Sequence, residues 1–366
     1  MEQAIFRPNW VSAPGETIKD FLNEKNISIN DFSSSLDESA RFVNLLLSGA
    51  IEIDENFAKK LETVIGINKD FLISREKLYR EDLMHYEQRE RLEKEWCKKI
   101  PYRDMVKFGW LEKNSPNSKD RVAQLLKFFD VSNVENWYKK YEQYLLVTSF
   151  RTSQTFDSMP ESVVTWLRYG SIYSNKNNVK EWDAVKFKDS LTEIKKLSRY
   201  REPSHFLPKL KNICANSGVS LVIAQTPKGC NASGATFIND KNRAVLMMSF
   251  RFKSDDHFWF SFFHEVGHLL LHKNKQLVIE GLDKDTSIEE KEANEFSRRI
   301  LIPDEYLDEF NKLSSVNWRN IVRFAKKLEV SPGIIIGQLQ KKNKIRYNQL
   351  NKLKTRFDLS TVWDIV

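Results

Sequence analysis

The most chemically specific stretch of the sequence is His264-Glu265-Val266-Gly267-His268. On a helix, four residues turn the chain by about 400°, so both imidazoles project from one face and can grip a single ion. Glu265 lies one step round, placed to take a proton from a metal-activated water instead of acting as a ligand. Gly267 leaves room for another backbone, or for the surroundings of the metal, to come close. The spacing, the intervening carboxylate and the strand that precedes the helix point to a metal centre and not to a pair of core histidines.

A hydrolytic zinc site needs a third protein ligand and one open position for water. The next helical stretch offers Glu289, Glu290, Glu292 and Glu295, and spacing alone does not rank them. At this point the chain resembles the ImmA/IrrE family of zinc metallopeptidases. In that family the HExxH helix is followed by one patterned E-x-x-A-N-x-F-A-x-x-L-L-x-P. Glu290, Ala293, Asn294, Phe296, Leu301 and Pro303 match it, while Ser297 and Ile300 depart from it. The resemblance implies Zn²⁺ held by His264, His268 and Glu290, with Asn294 as an outer hydrogen-bonding partner. The other three glutamates read as a solvated helix face.

Several nearby residues carry weaker expectations. His272 nearly continues the histidine stripe and is a candidate outer group or substrate contact. Cys230, in the loop Lys228–Gly234, would keep the centre latent if its thiolate reached the metal. Val245–Phe250, read as an edge strand, would pair with extended substrate backbone. Tyr306, His272 and His205 are candidates for stabilising an oxyanion.

The elements that must position these groups are legible in outline. An amphipathic helix over Phe206–Asn216 ends at Gly218, before an apolar, β-branched strand Val219–Ala224. Strands are expected at Ala235–Ile238 and Ala244–Phe250, joined by the turn 239–242. Ser254 or Asp255 caps a long apolar helix to about His272. Further helices are expected near 287–302 and 316–328. Residues 75–200 read as mainly helical, with polar breaks at 114–118 and 174–178. The charged run 87–99 reads as a solvated face, and Trp137, Tyr138, Tyr141, Tyr144 and Leu145 as a core stripe. The expected class is α+β, mainly α: a helix-turn-helix bundle (1–80), a helical middle region (81–200), a zincin-like small sheet with the HExxH helix (201–310) and a helical basic segment (311–366).

The stretch Pro14–Leu78 resembles the XRE-type helix-turn-helix of HigA-like antitoxins. Pro14, Gly15, Ile18, Leu36, Val43, Leu46, Leu47 and Gly49 carry the match. Ser28 with Asp31, then Asp54, are expected caps, and Gly66 a helix stop. The usual glycine of the turn is Asp37, which tolerates the left-handed conformation. Only Ser39, Arg41 and Asn44 are candidate base readers. Trp166-Leu-Arg-Tyr-Gly170, Asp255–Phe260, Val330–Gln340 and Leu350–Lys354 further resemble longer XRE–ImmA/IrrE fusions, with Ser171 as a departure.

Charge distribution qualifies that reading. The chain has 366 residues, 58 basic and 50 acidic, for a net charge of +8. Residues 1–80 are net −3, with 10 basic and 13 acidic side chains. From Arg319 to Arg356 there are 11 basic residues opposed only by Glu329. The tail Lys341–Arg356 reads as a C-terminal helix, either solvated or a phosphate-binding surface. With 41% hydrophobic residues, including 24 Phe and 9 Trp, the chain can bury sizeable cores. No apolar run approaches the ~20 residues that span a bilayer. Met1–Pro8 lacks a secretory leader pattern, and three cysteines without a CxxC pair suit reduced cytosol. The sequence therefore predicts a cytoplasmic metalloendopeptidase with a DNA-binding domain, acting on a repressor or antitoxin-like protein. Its partners would be that protein or a cognate toxin, with operator DNA, no membrane, and a homodimer if the operator is palindromic. The alternative expectation is an antitoxin and autorepressor that uses the zincin fold as a scaffold.

Overall fold

In a computed structural model, residues 10–112, 115, 117–152, 159–239, 243–272, 277–279 and 288–363 are described. The Met1–Pro8 stretch, residues 114 and 116 of the 114–118 break and the turn 240–242 lie outside them. The chain divides into two compact units, residues 1–96 and 97–366.

The first unit holds α1 (Pro14–Glu24), α2 (Ile29–Ser35), α3 (Ala40–Leu47), α4 (Glu55–Ile65) and most of α5 (Lys69–Lys99). Its boundaries are set by side-chain caps. The Asp31 amide donates to Ser28 Oγ, that of Phe42 to Ser39 Oγ and that of Phe57 to an Asp54 oxygen. Gly66 ends α4 in the left-handed region, at φ 77°. Asp37 takes φ 51° in the tight turn between α2 and α3. Ile18, Leu22, Phe32, Leu36, Val43, Leu46, Leu47 and Leu61 form the core.

The second unit contains α6 (Tyr102–Lys107), α7 (Ser118–Phe129), α8 (Val134–Thr152), α9 (Pro160–Ser174), α10 (Ala184–Leu197) and α11 (Pro203–Asn216). Strands β1 (Val219–Ile223), β2 (Gly234–Ile238) and β3 (Ala244–Met248) follow, then α12 (Asp255–Leu271), β4 (Leu277–Ile279) and α13 (Ile288–Leu301). The chain ends with α14 (Leu307–Asn311), α15 (Trp318–Lys327), α16 (Pro332–Lys341) and α17 (Leu359–Trp363). The aromatic stripe of α8 is core: Trp137 and Tyr141 are buried against Phe129.

The sheet has the order β1-β3-β2-β4. β3 runs parallel to β1 and antiparallel to β2, and β2 pairs with β4. Both faces are covered, so β1 and β3 are buried at every residue and read as continuous apolar runs. Val219, Leu221, Ile223, Leu246 and Met248 face a core shared with α11, α12, α15 and α16. Val222, Val245, Met247, Ala235 and Phe237 face a second core built on Val163, Trp166 and Leu167 of α9. This order corrects one expectation: β3 is an interior strand, because β2 folds back onto its free side. Its backbone is spent on two neighbours and is closed to substrate pairing.

The basic tail also departs from expectation. Beyond α16 the chain leaves the helical path at Asn343 and Leu350, with φ 54° and 60°, and makes only a 3₁₀ turn at Asn351–Leu353. The Gln340 side-chain amide donates to the carbonyls of Tyr347 and Gln349, which holds this irregular segment. Lys354 is not a surface charge. Its side chain is 9% exposed and reaches Asp256 Oδ2 at 2.6 Å and Gln340 Oε1 at 2.7 Å. Ser331 Oγ donates to Asp255 Oδ2 at 2.6 Å. The resemblance motifs around 255, 331, 340 and 354 thus meet in one buried polar network that anchors the start of α12.

Removing one partner of such a pair strands a buried charge. Lys354→Met is therefore expected to lower the unfolding free energy by about 3 kcal/mol in urea titration. A loss below about 0.5 kcal/mol would place Lys354 in solvent.

Candidate metal centre

α12 is apolar around most of its circumference, as a helix buried on all sides must be, and its residues 261–268 are all buried. Besides Ser261, three polar side chains interrupt that stretch: His264, Glu265 and His268 are 2%, 0% and 2% exposed. Groups this polar persist in a core only where partners receive them.

The partner helix is α13. At the crossing, a Cβ on Gly267 would lie 3.2 Å from the Ala293 Cα and 3.2 Å from the Phe296 ring. The two helices meet there at backbone distance, because Gly267 has no side chain and Ala293 only a methyl group to hold them apart. Ser297, a departure from the family pattern, donates its hydroxyl to the Phe260 carbonyl at 2.9 Å. It keeps the small size that the crossing needs and adds a hydrogen bond. Arg298 fastens the end of α13, gripping Glu295, Asp304 and the Ile302 carbonyl. Glu295 is accordingly an ion-pair partner and no ligand.

This crossing brings Glu290 over the two histidines. Its carboxylate oxygens lie 3.1 Å from His264 Nε2 and 3.3 Å from His268 Nε2, and the two Nε2 atoms are 3.0 Å apart. One ligand atom from each of the three residues falls within 4.8 Å of the others, a group that can hold a metal ion. The outer nitrogens are also engaged: His264 Nδ1 meets Asn294 Oδ1 at 3.2 Å, and His268 Nδ1 meets His272 Nδ1 at 3.0 Å. An amide oxygen only accepts, so His264 carries its proton on Nδ1 and offers the Nε2 lone pair inward. Imidazole lone pairs and a carboxylate converging in a buried space fit a cation. Burial lowers the pKa of His268, which keeps it neutral as a ligand must be. Burial also opposes charge on Glu290, but the two imidazoles that face it outweigh that and hold the carboxyl well below the usual range.

Glu265 is wholly buried. A Cβ on Gly234 would lie 2.7 Å from Glu265 Cγ and 2.8 Å from Oε1, so the bare backbone at the start of β2 makes room for this carboxylate.

Other sequence candidates lie elsewhere. Cys230 packs in the α9-side core with Trp166 and Val222, whereas α12 packs in the core on the other face of the sheet. Burial pushes its thiol up to about 12, so it supplies no thiolate for a latent state. Tyr306 rests against Phe324 and beneath Lys327, and His205 faces Tyr200. Ser39, Arg41 and Asn44 are exposed on or beside α3 in the first unit, and Ser39 also caps that helix. The sequence reading assigned Glu292 to a solvated face, but its Oε2 lies 2.8 Å from His272 Nε2. The only sequence signal for that pair was the i, i+4 continuation of the histidine stripe.

Replacing any of His264, His268 or Glu290 by Ala should abolish stoichiometric zinc retention, measured by elemental analysis after gel filtration. Cys230→Ser should retain zinc like the wild type. Loss of zinc in the cysteine variant alone would contradict this assignment.

No curated protein matches the chain. Residues 221–340, roughly a third of the chain, match the family Peptidase_M78, described as IrrE N-terminal-like domain. That stretch runs from β1 through α16 and contains every residue of the centre, which makes this part of the molecule metallopeptidase-like.

Proposed function

We propose that this chain is a regulatory zinc endopeptidase that cleaves a repressor or antitoxin-like protein. The convergence of His264, His268 and Glu290, with Glu265 buried one residue from the first ligand, carries the reading. Zinc bound by two imidazoles and one carboxylate supplies Lewis acidity, which polarises a peptide carbonyl and acidifies water near neutral pH. The Glu265 carboxylate takes the proton released as water attacks the carbonyl, then returns it to the departing amine nitrogen. This carboxylate is wholly buried, with the backbone of Gly234 close beside it. His264 and His268 stay neutral and keep their Nε2 lone pairs inward, while Asn294 and His272 fix the ring planes from outside.

The N-terminal helices support a DNA-reading role for the first unit, with α3 as the reader through Arg41 and Asn44 and Ser39 at its start. This unit is net acidic, so salt-dependent affinity would draw on exposed cations of the C-terminal region, among them Lys342, Arg346 and Lys352. Lys354 is excluded from that set by its buried pairing with Asp256.

The full chain, loaded with zinc and incubated with candidate repressors and antitoxins, should yield fragments, and Glu265→Gln should slow cleavage by about 10²–10⁴-fold while keeping its zinc. Identical fragment patterns from both would sink the protease reading and favour an antitoxin that uses the fold as a scaffold. On operator DNA, replacing Lys342, Arg346 and Lys352 by Gln should flatten the dependence of log K on log salt more than Arg41→Ala does. The reverse order would place the phosphate contacts in the first unit.

A further inference from the structure

His268 faces Glu290 with Nε2 and turns Nδ1 towards His272 Nδ1, 3.0 Å away. His272 Nε2 then meets Glu292 Oε2 at 2.8 Å. When His268 Nε2 gives its lone pair to a cation, one proton arrangement satisfies this chain. His268 carries its proton on Nδ1 and donates it to His272 Nδ1. His272 carries its own on Nε2 and donates it to the Glu292 carboxylate.

We propose that His272 and Glu292 are positioning residues that set the tautomer, ring plane and donor strength of His268 toward the metal. The inference rests on the reading of His264, His268 and Glu290 as ligands. The two imidazoles are supported by different groups: His264 meets the amide of Asn294, while His268 reaches a carboxylate through a second ring. A charged acceptor strengthens the bond from His272 Nε2, which raises electron density at His272 Nδ1 and makes it a better acceptor for the His268 proton. Electron density thereby shifts toward His268 Nε2, and His268 becomes a stronger donor. Folding stability does not explain Glu292. Its side chain is 54% exposed, and a hydrogen bond that open contributes little. The His272 ring is 9% exposed, so the relay joins a solvent-facing carboxylate to a buried ligand through one ordered ring.

The test uses the full chain, with zinc affinity from competition against a chromogenic chelator, the visible spectrum of the cobalt-substituted protein, and melting of the metal-free protein. His272→Phe, which removes the acceptor, should weaken zinc by about 10–100-fold and shift the cobalt bands. Glu292→Gln should weaken zinc in the same direction by a smaller factor and leave metal-free melting unchanged. His272→Gln, whose amide oxygen accepts the same proton, should recover part of the loss. Wild-type affinity and an unshifted cobalt spectrum in both His272→Phe and Glu292→Gln would overturn the proposal. Failure of the underlying ligand assignment has a different signature: His268→Ala would then bind zinc like the wild type, and the relay would fall with it.

Discussion

The close crossing of α12 and α13 is the constraint on which the centre depends. Two histidines on one helix make an incomplete grip, and the third donor must come from a second helix at backbone distance. Gly267 and Ala293 permit that approach, and Ser297 ties it with a hydrogen bond to Phe260. A larger side chain at either crossing residue would lift Glu290 away from the imidazoles. The metallopeptidase-like character of residues 221–340 is thus a property of a helix pair before it is a property of any one ligand.

The rest of the second unit holds α12 in place for that crossing. The sheet supplies a flat apolar wall on one side of the helix, and α16 closes another. At its N-terminus, Asp255 and Asp256 are received by Ser331 and Lys354, from segments far along the chain. Burying two acids at the start of this helix is costly unless each meets a partner. Here the partners also bring the C-terminal segment into the same core. The outer groups complete the arrangement, since Asn294 and His272 meet the outer nitrogens of the two rings whose inner nitrogens converge.

Much of this was readable from local pattern. The HExxH spacing located the helix and two of the three residues that converge on it, and capping residues such as Ser28 and Asp54 placed helix starts in the first unit. Glu290 was different: four glutamates on one helix were equivalent by spacing, and only the resemblance separated them. What local pattern missed was long-range. The interior position of β3 depends on β2 folding back between it and β4, and strand order leaves no trace in a strand's own residues. The pairing of Glu292 with His272 joins two helices, so neither helix's periodicity reveals it. Lys354 looked like one more cation of a basic tail, because burial of a lysine is decided by the partner it finds. Cys230 lay close to the site in sequence, yet the sheet stands between its core and that of α12.

The central claim is that two imidazoles and one carboxylate, without sulfur, form the metal's protein shell. X-ray absorption at the zinc edge on the purified full chain addresses it directly. The account predicts a shell of nitrogen and oxygen at about 2.0–2.1 Å, with multiple scattering from two imidazoles. A sulfur shell near 2.3 Å, or scattering from fewer than two imidazoles, would contradict it.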